Sequence, residues 1–139
     1  MRSDLNIQEM NDCLTWNGFI KCGSRLVLDI EDLTPETDYD FLIYEEQTGL
    51  HDALKNLGFI YNPFPANYKD EATIGIYSKK IGTVNFQVTV KKNEYRKVIE
   101  NLWDYLCNNP EEFKTKFWKR NSTREEIKDR INRYYAALM

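Results

Sequence analysis

Histidine is nearly absent from this chain. His51 is the only one, so a His-rich metal centre and a Cys-His nucleophile pair are excluded by counting, and a place on a helix surface is its expected role. Cysteine is scarce too. Cys13, Cys22 and Cys107 are widely spaced and lie in segments that read as helix or strand, which argues against a disulfide framework and a zinc knuckle; reduced core thiols are expected. Long apolar runs are missing as well. No window approaches the ~20 apolar residues of a membrane span, and Met1-Arg2-Ser3-Asp4 runs into a polar amphipathic segment without a signal-peptide core. A soluble, cytoplasmic protein with no membrane partner is the expectation. Low-complexity tracts, internal repeats and linkers are also lacking. With one histidine and three dispersed cysteines, carboxylates are left as the candidate metal ligands.

What is present suits one folded unit. A chain of 139 residues matches a single hydrophobic core, so one domain over residues 1–139 is expected, with a core at about 5–92 and a C-terminal helical part at about 93–139. The net charge of -3 hides an uneven distribution. Residues 1–60 carry 4 basic and 12 acidic side chains, whereas residues 111–139 carry 8 and 5. Solvated helix faces produce such asymmetry, and so does a site that handles a metal-bound polyphosphate.

Hydrophobic periodicity yields the element order αβαβαββααα. Residues 4–16 read as a first helix through Ile7, Met10 and Leu14, capped by Ser3 or Asp4 and ended by Asn17-Gly18. Phe19 to Cys22 is a short strand stopping at Gly23, and Ser24 to about Leu33 reads as a second helix with Leu26, Val27, Ile30 and Leu33 on one face. Pro35 closes it. From Asp38 to about Glu45 a strand places Asp38, Asp40 and Leu42 on one face and Tyr39, Phe41 and Ile43 on the other. Leu50, Ala53, Leu54 and Leu57 mark a third helix ending at Gly58, and residues 59–70 read as a long loop. Residues 72–78 and 83–91 form a hairpin joined by Lys79 to Gly82, with Val84, Phe86, Val88 and Val90 alternating against a polar face. Asn93 is expected to cap a long helix with the stripe Tyr95, Val98, Ile99, Leu102 and Leu106. A short helix opens at Pro110 and includes Phe113 and Phe117. Ser122 and Glu125 make a capping box for a last helix holding Tyr134 and Tyr135.

The chemistry concentrates between Gly18 and Tyr44. Ser24 and Arg25 fall where strand passes into helix, so backbone amides at the helix start, the Ser24 hydroxyl and the Arg25 cation are placed to face one anion. The plainer reading is a tight turn at Gly23 with Ser24 as a helix cap. Asp38 and Asp40 on one strand face repel each other unless a cation or a proton lies between them, and hard oxygen donors of this kind suit magnesium.

A hydrophobic residue, Gly23-Ser24, thirteen intervening residues and then Asp38-Tyr39-Asp40-Phe41 resembles the signature of the nucleotidyltransferase superfamily with the polymerase-β-like fold. The resemblance covers about residues 5–92. It implies an α+β fold with a small mixed or antiparallel sheet of about four strands flanked by helices, the C-terminal helices packed on it. It also implies that Gly23, Ser24 and Arg25 bind the nucleotide, and that Asp38 and Asp40 are catalytic and hold Mg2+ or Mn2+. A nucleoside monophosphate would then pass from a nucleoside triphosphate to a hydroxyl of a protein, RNA or small-molecule acceptor. The family places a third carboxylate on a later strand of the same face; here that strand shows Asn85 and Gln87, which carry no charge and accept no proton. Asp70, Glu71, Glu45 and Glu46 are the possible substitutes. The departure motivates a second expectation, a catalytically degenerate domain of this fold that binds a nucleotide or a protein, as an inhibitor or antitoxin does. Lys79, Lys80, Lys91, Lys92, Arg96 and Lys97 read as a solvated sheet edge, or as an RNA-binding surface.

Overall fold

The computed structural model describes residues 4–65 and 70–114, together with Asp129, Asn132 and Arg133. It is an α+β fold. In chain order the elements are α1 (Ile7–Trp16), β1 (Ile20–Cys22), α2 (Ser24–Val27), β2 (Tyr39–Tyr44), α3 (Thr48–Asn56), β3 (Ile60–Pro63), β4 (Thr73–Ile81), β5 (Val84–Lys91), α4 (Arg96–Asn108) and α5 (Pro110–Glu112). The strands form one open mixed sheet in the order β1-β2-β5-β4-β3. Only β2 and β5 pair in parallel; the other neighbours are antiparallel.

The two faces of the sheet are packed differently. On one, Phe41, Ile43, Phe86, Val88 and Val90 meet Met10 and Leu14 of α1 and Leu54 and Leu57 at the end of α3. On the other, Leu42 and Tyr44 of β2 meet Val27, Leu28 and the α4 stripe Val98, Ile99, Leu102 and Leu106. That second core takes no buried side chain from β4 or β5 among the described residues. The face of β5 carrying Asn85, Gln87 and Thr89 is therefore left outside it.

Several elements differ from their sequence expectation, each for a local reason. The sheet has five strands, not about four: Ile60–Pro63 lies within the stretch expected to be a loop, and all four of its residues are exposed. Pro63 is tolerated there because an edge strand leaves one side unpaired. The second helix stops at Val27, since Leu28 turns extended (φ -91°, ψ 154°) and a 3-10 turn follows at Ile30–Asp32. Val27 and Leu28 are both buried, and a helix would splay adjacent residues by ~100°. Ile30, assigned to the buried face, is 85% exposed. The cap of α1 is Asn6, in a reciprocal box with Glu9 (2.8 and 3.1 Å), rather than Ser3 or Asp4.

The hairpin connection is shorter than expected. Ile81 pairs with Val84, leaving the two-residue turn Gly82-Thr83, and Gly82 has φ 62°, as a glycine-first hairpin turn requires. Asn93 does not cap α4. It lies in a 3-10 turn, and its side chain accepts from the Glu46 amide at 3.3 Å. Cys107 is exposed instead of lying in the core, and His51 is half-buried with Nδ1 2.8 Å from the Tyr77 hydroxyl. The capping box at Ser122 and the aromatic positions Phe117, Tyr134 and Tyr135 lie outside the described residues. Among the described residues no helix is long and apolar enough to cross a membrane.

The basic surface expected around the hairpin is partly consumed. Lys79 donates to the Leu57 carbonyl at 2.6 Å, and Arg96 reaches Glu46 and Glu100 at 3.3 Å each. Lys91 is buried. Its ammonium lies 2.6 Å from both Asp70 Oδ2 and Thr73 Oγ1, tying the segment ahead of β4 to the end of β5. Because Lys91 and Asp70 are both withdrawn from water, removing one leaves the other uncompensated. Asp70→Ala is expected to lower the unfolding free energy by about 3–5 kcal/mol in urea denaturation. A loss below ~1 kcal/mol, the size typical of an exposed pair, would contradict this account.

Candidate functional site

The site begins where β1 ends. Gly23 adopts φ 76° and ψ -162°, a region that only glycine occupies without strain. A Cβ on Gly23 would also overlap the Asp40 carboxylate, so the same residue makes the turn and lets Asp40 approach the backbone. Ser24 then opens α2, with the Leu26 and Val27 amides returning to the Gly23 carbonyl at 3.1 and 3.3 Å. The Ser24 side chain is half-buried and has no hydrogen-bond partner among the described residues.

Asp40 occupies the centre of the arrangement. It lies in register with Cys22 of β1 on one side and Gln87 of β5 on the other. Asp38 comes two residues earlier, just ahead of the first β2 ladder residue, and both acids are half-buried. Since Phe41, Ile43, Phe86 and Val88 fill the opposite face, the alternation of both strands puts Asp40, Asn85 and Gln87 on one face, and Asp38 is near enough for its charge to act on Asp40. Lys80 and Ser78 of β4 are in register with Asn85 and Gln87. The structure thus brings Gly23, Ser24, Asp38 and Asp40 together beside the two amides.

Arg25 is placed differently from the expectation that it faces an anion. Its Nε and Nη2 donate to the Thr37 carbonyl at 3.0 and 2.9 Å, and Nη2 also reaches the Thr34 carbonyl at 3.3 Å. The guanidinium lies over the Tyr39 ring, 3.8 Å from its centroid. Sequence reasoning missed this contact. Its only sequence signal is the position of Thr34 to Thr37 directly before Asp38, with an aromatic residue directly after.

The electrostatics explain what the acid pair lacks. Burial, and then the neighbouring charge of Asp38, push Asp40 from its ordinary 3.8 up to about 7, while Arg25 offsets part of the rise. A carboxyl group in this state is only partly ionised at neutral pH, and a nearby cation would favour its charged form. Burial, reinforced by Asp40, also drives the Cys22 thiol far up, so Cys22 stays neutral and serves as neither thiolate ligand nor nucleophile. Two carboxylates side by side offer the hard oxygen donors that magnesium and manganese take.

No third acid joins them among the described residues. Among the described residues no group of three or more His, Cys, Asp or Glu side chains is gathered for a metal, and each possible substitute is engaged elsewhere. Asp70 holds Lys91, Thr73 and the Ala72 amide. Burial alone would raise its pKa, but the Lys91 charge and these hydrogen bonds outweigh burial and hold it below the usual range. Glu71 bonds Tyr95, Glu45 accepts from the Asn93 amide at 3.2 Å and Glu46 pairs with Arg96.

No protein-family model matches the chain, and no curated protein or solved structure matches it at a significant level. The reading of the site therefore rests on its own geometry and on the resemblance of its motif.

The shift of Asp40 sets a pH dependence. Between 3.8 and about 7 the folded protein retains a proton on Asp40 that the unfolded chain has lost, so this group makes stability fall as pH rises through that window. Asp40→Asn is expected to melt higher than the unsubstituted protein at pH 8 in chelator, and the two should converge toward pH 4. Thermal denaturation across pH checks this, and parallel curves would contradict the account.

Proposed function

We propose that this protein is a magnesium-dependent nucleotidyltransferase that moves a nucleoside monophosphate from a nucleoside triphosphate to a hydroxyl of a protein, RNA or small-molecule acceptor. The observation that carries the reading is the juxtaposition of Asp38 and Asp40 with the Gly23-Ser24 turn on one open sheet face. In this reading the protein is cytoplasmic, where nucleoside triphosphates are supplied.

Each residue has a task in this scheme. Asp38 and Asp40 would hold the magnesium or manganese ion. When bound, such an ion neutralises polyphosphate charge and stabilises the charge that develops during phosphoryl transfer. Gly23 lets the backbone come close, and the Ser24 hydroxyl donates to a terminal phosphate oxygen. Gln87 donates or accepts a hydrogen bond at the site but takes no proton from an acceptor hydroxyl. General-base assistance is worth on the order of 100- to 10,000-fold, so slow turnover is expected.

A second reading, a catalytically degenerate domain that binds a nucleotide or a protein partner, is favoured by one observation. Gln87 stands in register with Asp40, and the four other carboxylates considered as substitutes are engaged elsewhere. One experiment separates the two readings. The protein is incubated with each labelled nucleoside triphosphate, magnesium or manganese, and cell extract, beside an Asp38→Ala, Asp40→Ala double variant. Label transfer that the double variant loses is the expected result. Metal-dependent nucleotide binding without transfer would favour the degenerate reading, and Gln87→Asp should then gain activity if a third carboxylate is all that is lacking.

A further inference from the structure

Asp38 lies outside the β2 ladder, whose first residue is Tyr39, so strand pairing does not fix it. The residues on either side of it do. The Thr37 carbonyl accepts two hydrogen bonds from Arg25, at 3.0 and 2.9 Å, and the Tyr39 ring lies under the same guanidinium. Tyr39 in turn stacks on Phe86 with centroids 4.6 Å apart and planes within 8°, and Phe86 is fully buried. The turn ahead of Asp38 is closed on itself as well. The Thr37 amide donates to the Thr34 carbonyl at 3.1 Å, and the Thr34 amide to Thr37 Oγ1 at 2.9 Å. Arg25 spans this turn through its additional bond to the Thr34 carbonyl.

We propose that Arg25 is a positioning residue: it clamps the Thr34–Thr37 turn against Tyr39 and so holds Asp38 on the side of Asp40 for joint cation binding. The proposal rests on the reading of the Asp38–Asp40 pair as a divalent-cation site. It assigns Arg25 to the backbone instead of to a phosphate. A planar fork that bridges two carbonyls while stacking on an aromatic ring is geometry that arginine provides and lysine does not.

The sign of one measurement distinguishes the clamp from charge alone. Arg25 is a cation near the acid pair, so if only its charge mattered, removing it would tighten the binding of a divalent cation. A clamp predicts the opposite. Groups that orient metal ligands from behind change affinity about 10- to 100-fold when lost. Mn2+ affinity of the full chain, read from the electron paramagnetic resonance of free Mn2+ well below the melting temperature, is compared for the unsubstituted protein, Arg25→Gln, Arg25→Lys and the Asp38→Ala, Asp40→Ala control.

The expected result is a loss of about 10-fold or more in Arg25→Gln and a comparable loss in Arg25→Lys. Equal or tighter binding in Arg25→Gln overturns the clamp and leaves the reading of the acid pair standing. A role confined to stability would lower the melting temperature of both variants without moving Mn2+ affinity, and that outcome also overturns it. If the unsubstituted protein binds Mn2+ no better than the acid-pair control, the reading of the pair falls, and the clamp with it. Should Arg25→Gln fail to fold, Arg25→Lys carries the comparison, and unchanged affinity there overturns the proposal.

Discussion

The parallel pairing of β2 with β5 is the constraint on which the remainder depends. It puts Phe41 beside Val88 and Ile43 beside Val90, building the core that α1 and α3 cover, and by the same register it sets Asp40 beside Gln87. A strand covered by a core on one face alternates apolar and polar residues, and β5 follows that pattern. It is apolar at Val84, Phe86, Val88 and Val90, and polar at Asn85, Gln87, Thr89 and Lys91. The side chains of Asn85 and Gln87 on that face are half-buried and have no hydrogen-bond partner among the described residues.

Two carboxylates on this same side of the molecule resolve their electrostatics in opposite ways. Asp70 has an ammonium at 2.6 Å and two further donors, so it stays ionised despite burial. Asp40 is buried with another acid as its neighbour and Arg25 offsets only part of the rise, so it is only partly ionised at neutral pH. One pair joins two opposite charges and ties the segment ahead of β4 to the end of β5. The other sets two like charges side by side, and the turn that brings Gly23 against Asp40 keeps the backbone, instead of a side chain, at its edge.

Much of this was legible in the sequence because periodicity and motif agreed. The alternation at Asp38 to Tyr44 placed both acids on one face, the stripe of α4 emerged at Val98, Ile99, Leu102 and Leu106, and the α+β class followed from the order of elements. What escaped has physical causes. β3 carries a proline and no buried residue, so its backbone pairing left no pattern in the side chains. Ile30 keeps the helical spacing as far as Leu33, yet burial of both Val27 and Leu28 ends the second helix at Val27. Arg25 contacts carbonyl oxygens, which every residue possesses, so nothing in residue type announces that contact. Lys91 looked like sheet-edge charge, and only the fold brings Asp70 to it across a buried surface.

The most direct measurement is anomalous diffraction from crystals soaked with Mn2+ and a non-hydrolysable nucleoside triphosphate analogue. An anomalous peak within ligand distance of both Asp38 and Asp40, with the triphosphate against Ser24, is the result expected here. Manganese bound elsewhere, or an Asp38–Asp40 pair with no anomalous density under conditions that load the nucleotide, would contradict it.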